Sequence, residues 1–163
     1  MHKPCDCSCR PSCPSQPEDP CTICPKASME YAYYSQNDRL YNSALFGGIR
    51  FENPPVETSA FFYDTGIISI FKPGIYLATY IVNFPSESTF TTTLALQLNN
   101  QNVLGTVKVI AKTETGIPYT ATAQAILPIT STGVVRLSSS SILNITSDEF
   151  NTAASISIIE LLR

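Results

Sequence analysis

A chain of 163 residues with net charge −3 and only 14% charged side chains has room for one domain with a sizeable core and too little for two. No Arg-rich or Lys-rich run is present, which argues against a nucleic-acid partner. No apolar run approaches the roughly 20 residues that span a bilayer, and the N-terminus lacks an apolar h-region, so neither a membrane partner nor a secretory signal peptide is expected.

Residues 1–27, MHKPCDCSCRPSCPSQPEDPCTICPK followed by Ala27, hold all six cysteines: Cys5, Cys7, Cys9, Cys13, Cys21 and Cys24. Half of the twelve prolines fall here and none of the seven glycines do. Proline fixes φ and removes an amide donor, so an extended, polyproline-like connector is expected. Without glycine it is a semi-rigid spacer, and with almost no apolar side chains besides cysteine it cannot build a core. Its charges balance, so the net −3 sits on residues 28–163.

Residues 28–163 read as one β domain. β-branched and aromatic residues recur in short alternating runs. Candidate strands are 29–35, 67–71, 75–84, 91–98, 105–112, 119–127, 134–138, 141–146 and 153–162. Lys72-Pro73-Gly74 and Ser131-Thr132-Gly133 break the runs, as does Ser147-Asp148-Glu149, and Asn99 to Asn102 suits a hairpin because Asn tolerates positive φ. Strands this short and closely spaced form a sandwich or barrel.

Two strands are apolar on both faces. In 75–84, Ile75, Leu77, Thr79 and Ile81 point one way, and Tyr76, Ala78, Tyr80 and Val82 the other. In 153–162, Ile156 and Ile158 oppose Ser155, Ser157 and Ile159. A strand buried on both sides lies between a core and something else. An oligomer interface resolves this; an irregular core with a few exposed apolar side chains is the alternative.

The residues speak against an enzyme. The only histidine is His2, and residues 28–163 contain no cysteine, so no Ser-His-Asp or Cys-His constellation fits inside the domain. Gly47-Gly48 is too little for a phosphate loop. No D-x-D-type loop offers a calcium site, and no cofactor is expected. Cys5-x-Cys7-x-Cys9-x3-Cys13 with Cys21-x2-Cys24 permits thiolate–metal clusters. Disulfides are the main expectation, and Cys-x-Cys neighbours should seek partners elsewhere, since small rings are strained. Twenty-seven polyproline residues reach roughly 80 Å at about 3.1 Å each, against a body of about 40 Å diameter. Cross-subunit bonds are therefore within reach. Thr89–Thr93 and Ser138–Ser141 are dense enough in hydroxyls for O-glycosylation, or are edge-strand polar residues. Asn144-Ile145-Thr146 matches an N-glycan acceptor by chance.

Phe71-Lys72-Pro73-Gly74-Ile75-Tyr76-Leu77-Ala78-Thr79-Tyr80, Leu94 to Asn99, Thr120 to Leu127, Thr132 to Leu137 and the closing Asn151 to Leu161 resemble the C-terminal domain of collagen-like exosporium glycoproteins of spore-forming bacteria. The resemblance is good over residues 60–163 and loose over 28–59. It implies an all-β, antiparallel C1q/TNF-like jelly roll of ten strands that assembles as a tight trimer. The first and last strands would lie near the threefold axis beside residues 75–84. Trimer-core candidates on this basis are Tyr31, Tyr33, Tyr76, Tyr80, Val82, Ile156 and Ile158. No Gly-X-Y stalk is present. The cysteine-rich tail instead resembles the N-terminal connector of endospore appendage (pilus) subunits. The combined expectation is a structural subunit at the spore surface, self-associating as trimers that stack head to tail, with other spore-coat or exosporium proteins as further partners. A surface head or adhesin anchored through its tail is the alternative, and a metal-binding tail on a ligand-binding head is the second.

Overall fold

A computed structural model describes residues 29–162, so the six cysteines, and any pairing or metal binding by them, lie outside the described residues. The strands are β1 (Tyr31–Gln36), β2 (Arg39–Tyr41), β3 (Val56–Glu57), β4 (Phe61–Asp64), β5 (Ile67–Ile70), β6 (Gly74–Phe84) and β7 (Phe90–Leu98). They continue with β8 (Gln101–Asn102), β9 (Lys108–Lys112), β10 (Tyr119–Ile129), β11 (Gly133–Ser139), β12 (Asn144–Thr146) and β13 (Ala154–Leu162). One sheet has the order β10-β6-β13-β1-β3; a second has β4-β5-β11-β7-β8, with β9 also paired to β7; β12 and β2 form a small ribbon. Neighbours in space are mostly distant in sequence, as in a jelly roll. The all-β antiparallel sandwich expected from the sequence is what forms.

The inner faces of the two large sheets enclose one core. From β6 it receives Tyr76, Ala78, Tyr80, Val82 and Phe84, and from β13 Ile156 and Ile158. Each large side chain so buried contributes about 1.5–3 kcal/mol. Buried tyrosines need partners for their hydroxyls. Tyr80 donates to the Thr106 carbonyl at 2.7 Å and Tyr76 to the Lys72 carbonyl at 3.0 Å. Phe61 meets Tyr76 edge-on at 5.9 Å.

This placement corrects five trimer-core candidates. Tyr76, Tyr80, Val82, Ile156 and Ile158 are at most 1% exposed within a single chain. They cannot face another subunit without opening the sandwich. Alternation separates the two parities of β6 and β13, and the parity expected at the trimer axis is the one that faces the core. Tyr31 and Tyr33 remain on the surface.

Other differences have local causes. The expected strand 105–112 begins only at Lys108, because Thr106 folds its buried hydroxyl onto the Val103 carbonyl at 2.7 Å and so closes a turn. The strand expected over 141–146 is reduced to Asn144–Thr146. β2, β3 and β4 were not anticipated. The hairpin at Asn99-Asn100 forms as expected, with φ of 50° and 66°. The hydroxyl-rich runs prove to be partly internal: Thr92 and Ser139 are buried and bond each other at 2.7 Å. Gly48 serves close packing, since a Cβ there would lie 2.2 Å from the Gly66 carbonyl oxygen.

Candidate assembly interface

The outer face of the five-stranded sheet is largely apolar and unpartnered among the described residues. The register places Val56 beside Tyr33, Tyr31 beside Ile159, and Ile159 beside Leu77. Across β6, Leu77 pairs with Ile126 and Ile75 with Pro128. Tyr31 is 46% exposed, Ile81 40%, Ile159 38% and Ile126 61%. Ser35, Ser155, Ser157, Thr79, Asn83, Thr120, Thr122 and Gln124 share this parity and interrupt the apolar surface, and none of them carries a charge. Scattered apolar residues need no explanation, but a contiguous apolar sheet face is the kind of surface that marks an interaction site.

The tail joins the head at one pole of this sheet. Glu30, the residue before β1, donates its amide to Glu160 Oε2 at 3.1 Å, and the Glu160 amide donates to the Glu30 carbonyl at 2.8 Å. The Glu30 carboxylate is buried. It accepts from Thr58 Oγ1 and is paired with Lys72. A buried carboxylate is tolerated when it is paired and hydrogen-bonded. These contacts fix the point at which the tail leaves the sandwich.

The opposite pole lies at the far end of β6, about 33 Å away for an eleven-residue strand at 3.3 Å per residue. There a groove of about 300 Å³ opens between Asn83-Phe84-Pro85 and the loops that carry Pro118-Tyr119 and Glu149. A second hollow of about 200 Å³ lies beyond Pro118 and Tyr119, flanked by Ile117 and Thr113. A third, at Glu87, Asp148 and Glu149, is acidic. Tyr119 packs on Phe84 at 6.5 Å yet is 43% exposed. Its hydroxyl has no hydrogen-bond partner among the described residues. Two bonds from Ser86, one from its amide at 2.8 Å and one from its hydroxyl, hold the exposed Glu149 carboxyl below the ordinary carboxylate value.

Lys112 pins this pole. Its ammonium is almost buried and donates to the carbonyls of Ser86 (2.8 Å), Ser88 (2.6 Å) and Glu114 (2.8 Å). One cation thereby ties together the loops on either side of the groove. Asn83 adds a bond from its amide to the Thr152 carbonyl at 2.7 Å.

Of the residues singled out in the sequence, Tyr31 and Tyr33 fall on the apolar outer face. Ile75, Leu77 and Ile81, which belong to the other parity of β6, lie there with them. The contribution of Val56 and Ile126 escaped sequence reading, because β3 is only two residues long and β10 reads as a half-polar strand. The distal groove gave no signal, since its walls come from three separate loops.

In overall shape the chain is similar to murine APRIL, a TNF-family jelly roll. Crystal structures of that protein at pH 8.5 and pH 8.0 match with TM-scores of 0.58 and 0.54 at 11% and 12% sequence identity, covering 82% of this chain and 100% of theirs. Identity this low shows the fold alone. No known family model matches the sequence, and no curated protein does.

Proposed function

We propose that this chain is a structural, self-assembling subunit of a spore-surface appendage. Heads associate as trimers through the outer face of the five-stranded sheet, and cysteine-rich tails fasten each trimer to its neighbour. The observation that carries the self-association is the uncharged apolar face from Val56 across to Ile126, which nothing among the described residues covers. A trimer is the assembly implied by the exosporium-protein resemblance, and the jelly-roll fold is compatible with it. The spore-surface setting rests on that resemblance and on the appendage-like tail.

The mechanism is assembly. The head has no cysteine, so any disulfide between subunits must join tail to tail or tail to another protein. Apolar burial forms the particle, and thiol chemistry secures contacts between particles. A head-to-tail contact that does not close on itself produces a filament.

Negative-stain electron microscopy of the oxidised protein beside a variant with all six tail cysteines changed to serine tests this. Fibres that vanish or fragment in the variant support the reading. Single particles of trimer size in both samples refute the appendage and favour a head anchored through its tail. Free monomers in both refute self-association through the sheet.

A further inference from the structure

The fibre reading leaves one contact unassigned: what on a cysteine-free head holds the tail of the next subunit. The tail carries prolines at Pro11, Pro14, Pro17 and Pro20, one every third residue, directly after Arg10. Polyproline II has three residues per turn and rises 3.1 Å per residue. Residues at this spacing therefore share one edge, about 9 Å apart. Proline-rich segments bind grooves lined by aromatic rings, into which successive prolines insert.

The distal pole has the complementary features. Its two hollows are separated by the Pro118–Tyr119 ridge, and the exposed Tyr119 ring forms a wall of both. The third hollow continues past Glu149 and is lined by three carboxylates, Glu87, Asp148 and Glu149. No cation among the described residues pairs with any of these three within ion-pair distance, Lys112 being committed to backbone carbonyls. The groove also stands at the end of β6 opposite the tail exit, where a head-to-tail contact has to form.

We infer that the distal groove is the tail receptor of the assembly: Pro11 and Pro14 of one copy seat on either side of the Tyr119 ring of another, and Arg10 reaches Glu149. This inference rests on the self-assembly reading above. It assigns the non-covalent step: docking brings cysteines of neighbouring tails together, and dissolved oxygen then takes two electrons and two protons from each pair of thiols as the disulfide forms. In polyproline II geometry the fifteen residues from Pro14 to Met29 would span roughly 46 Å. That reach also allows a tail to bend back over its own head, so the experiment must separate the two cases.

The full chain is made with Tyr119→p-benzoylphenylalanine, in equal parts of ¹⁴N and ¹⁵N material mixed before assembly under reducing conditions. It is then irradiated, oxidised and mapped by mass spectrometry. Crosslinks joining light to heavy copies within residues 10–17 are expected. Arg10→Glu should lower their yield about tenfold, and combining it with Glu149→Arg should restore them, because a charge-assisted bond is lost and then rebuilt. Crosslinks confined to one copy, landing elsewhere, landing on a foreign polypeptide or absent altogether overturn the assignment. So does a charge swap that restores nothing. Micrographs of the same samples keep the two readings apart. Fibres without the 119-to-tail crosslink defeat the groove and spare the appendage; the crosslink without fibres defeats the appendage and spares the groove.

Discussion

The two faces of β6 are alternate residues of one strand and have opposite fates. Tyr76, Ala78, Tyr80, Val82 and Phe84 lie in the core, while Ile75, Leu77, Thr79 and Ile81 look outward. Hydrophobicity does not separate them, for both sets are apolar. Polar chemistry does. The inward tyrosines find backbone acceptors, on Lys72 and Thr106. The outward set holds aliphatic side chains and a threonine, which present no buried group that must be satisfied when a flat partner covers them. A strand that is apolar on both sides thus declares its inner face by hydroxyls that find backbone acceptors.

Replacing one residue on each face breaks this comparison most directly. Tyr80→Asp removes a large ring and its hydrogen bond and places a carboxylate in the core. It should cost more than about 4 kcal/mol, leaving insoluble or unfolded protein by circular dichroism. Ile81→Asp, one residue along, should leave the monomer fold intact within about 1 kcal/mol and abolish oligomers in light scattering. A folded, soluble Tyr80→Asp head, or an intact oligomer of Ile81→Asp, would reverse the assignment of faces.

Alkali gives a third, smaller test. Burial pushes the Tyr80 phenol from 10.0 up to about 12. It raises Tyr34 too, helped by that residue's hydrogen bond to Glu57. A pKa raised on folding means the native state holds its proton more tightly. The associated stability is complete below pH 10 and lost as pH rises through 12. For Tyr80 the loss is about 2–3 kcal/mol at roughly 1.4 per unit of pH. Urea midpoints measured from pH 9 to 12 should fall with that slope or more steeply; midpoints flat to pH 12 would contradict the burial. The smallest effect is expected at the tail junction. Lys72→Met removes the cation beside Glu30, but Thr58 still donates to that carboxylate and the lysine is partly exposed, so about 1 kcal/mol is expected in urea denaturation.

The long elements could be read from the sequence because β6, β7, β10 and β13 run for nine to eleven residues, long enough for alternation to show. Their ends also agree well: 75–84 was expected, and Gly74–Phe84 forms. β2 and β3 could not be read, because strands of three and two residues are set by their neighbours. Arg39–Tyr41 is held by Asn144–Thr146, a hundred positions away. The composition of the apolar outer face was legible in the parity of Ile75, Leu77 and Ile81, together with Tyr31 and Tyr33. Its orientation was not, since alternation tells two faces apart without saying which is inside. The distal groove was illegible because Lys112 and Glu149 look like ordinary solvated charges until loops far apart in sequence bring Ser86 to both.

The attachment of the tail to β1 has a mechanical side. β1 is laced to β13 over six residue pairs, Tyr31 with Ile159 through Gln36 with Ala154, and to β3 on its other edge. Ladder hydrogen bonds run perpendicular to the strands. A pull on the tail along the sheet therefore loads the whole ladder in shear, so its bonds share the force instead of opening one at a time. Clamping Glu30 at the mouth of the strand keeps the pull along that direction. A thread of such units would bear tension through its sheets.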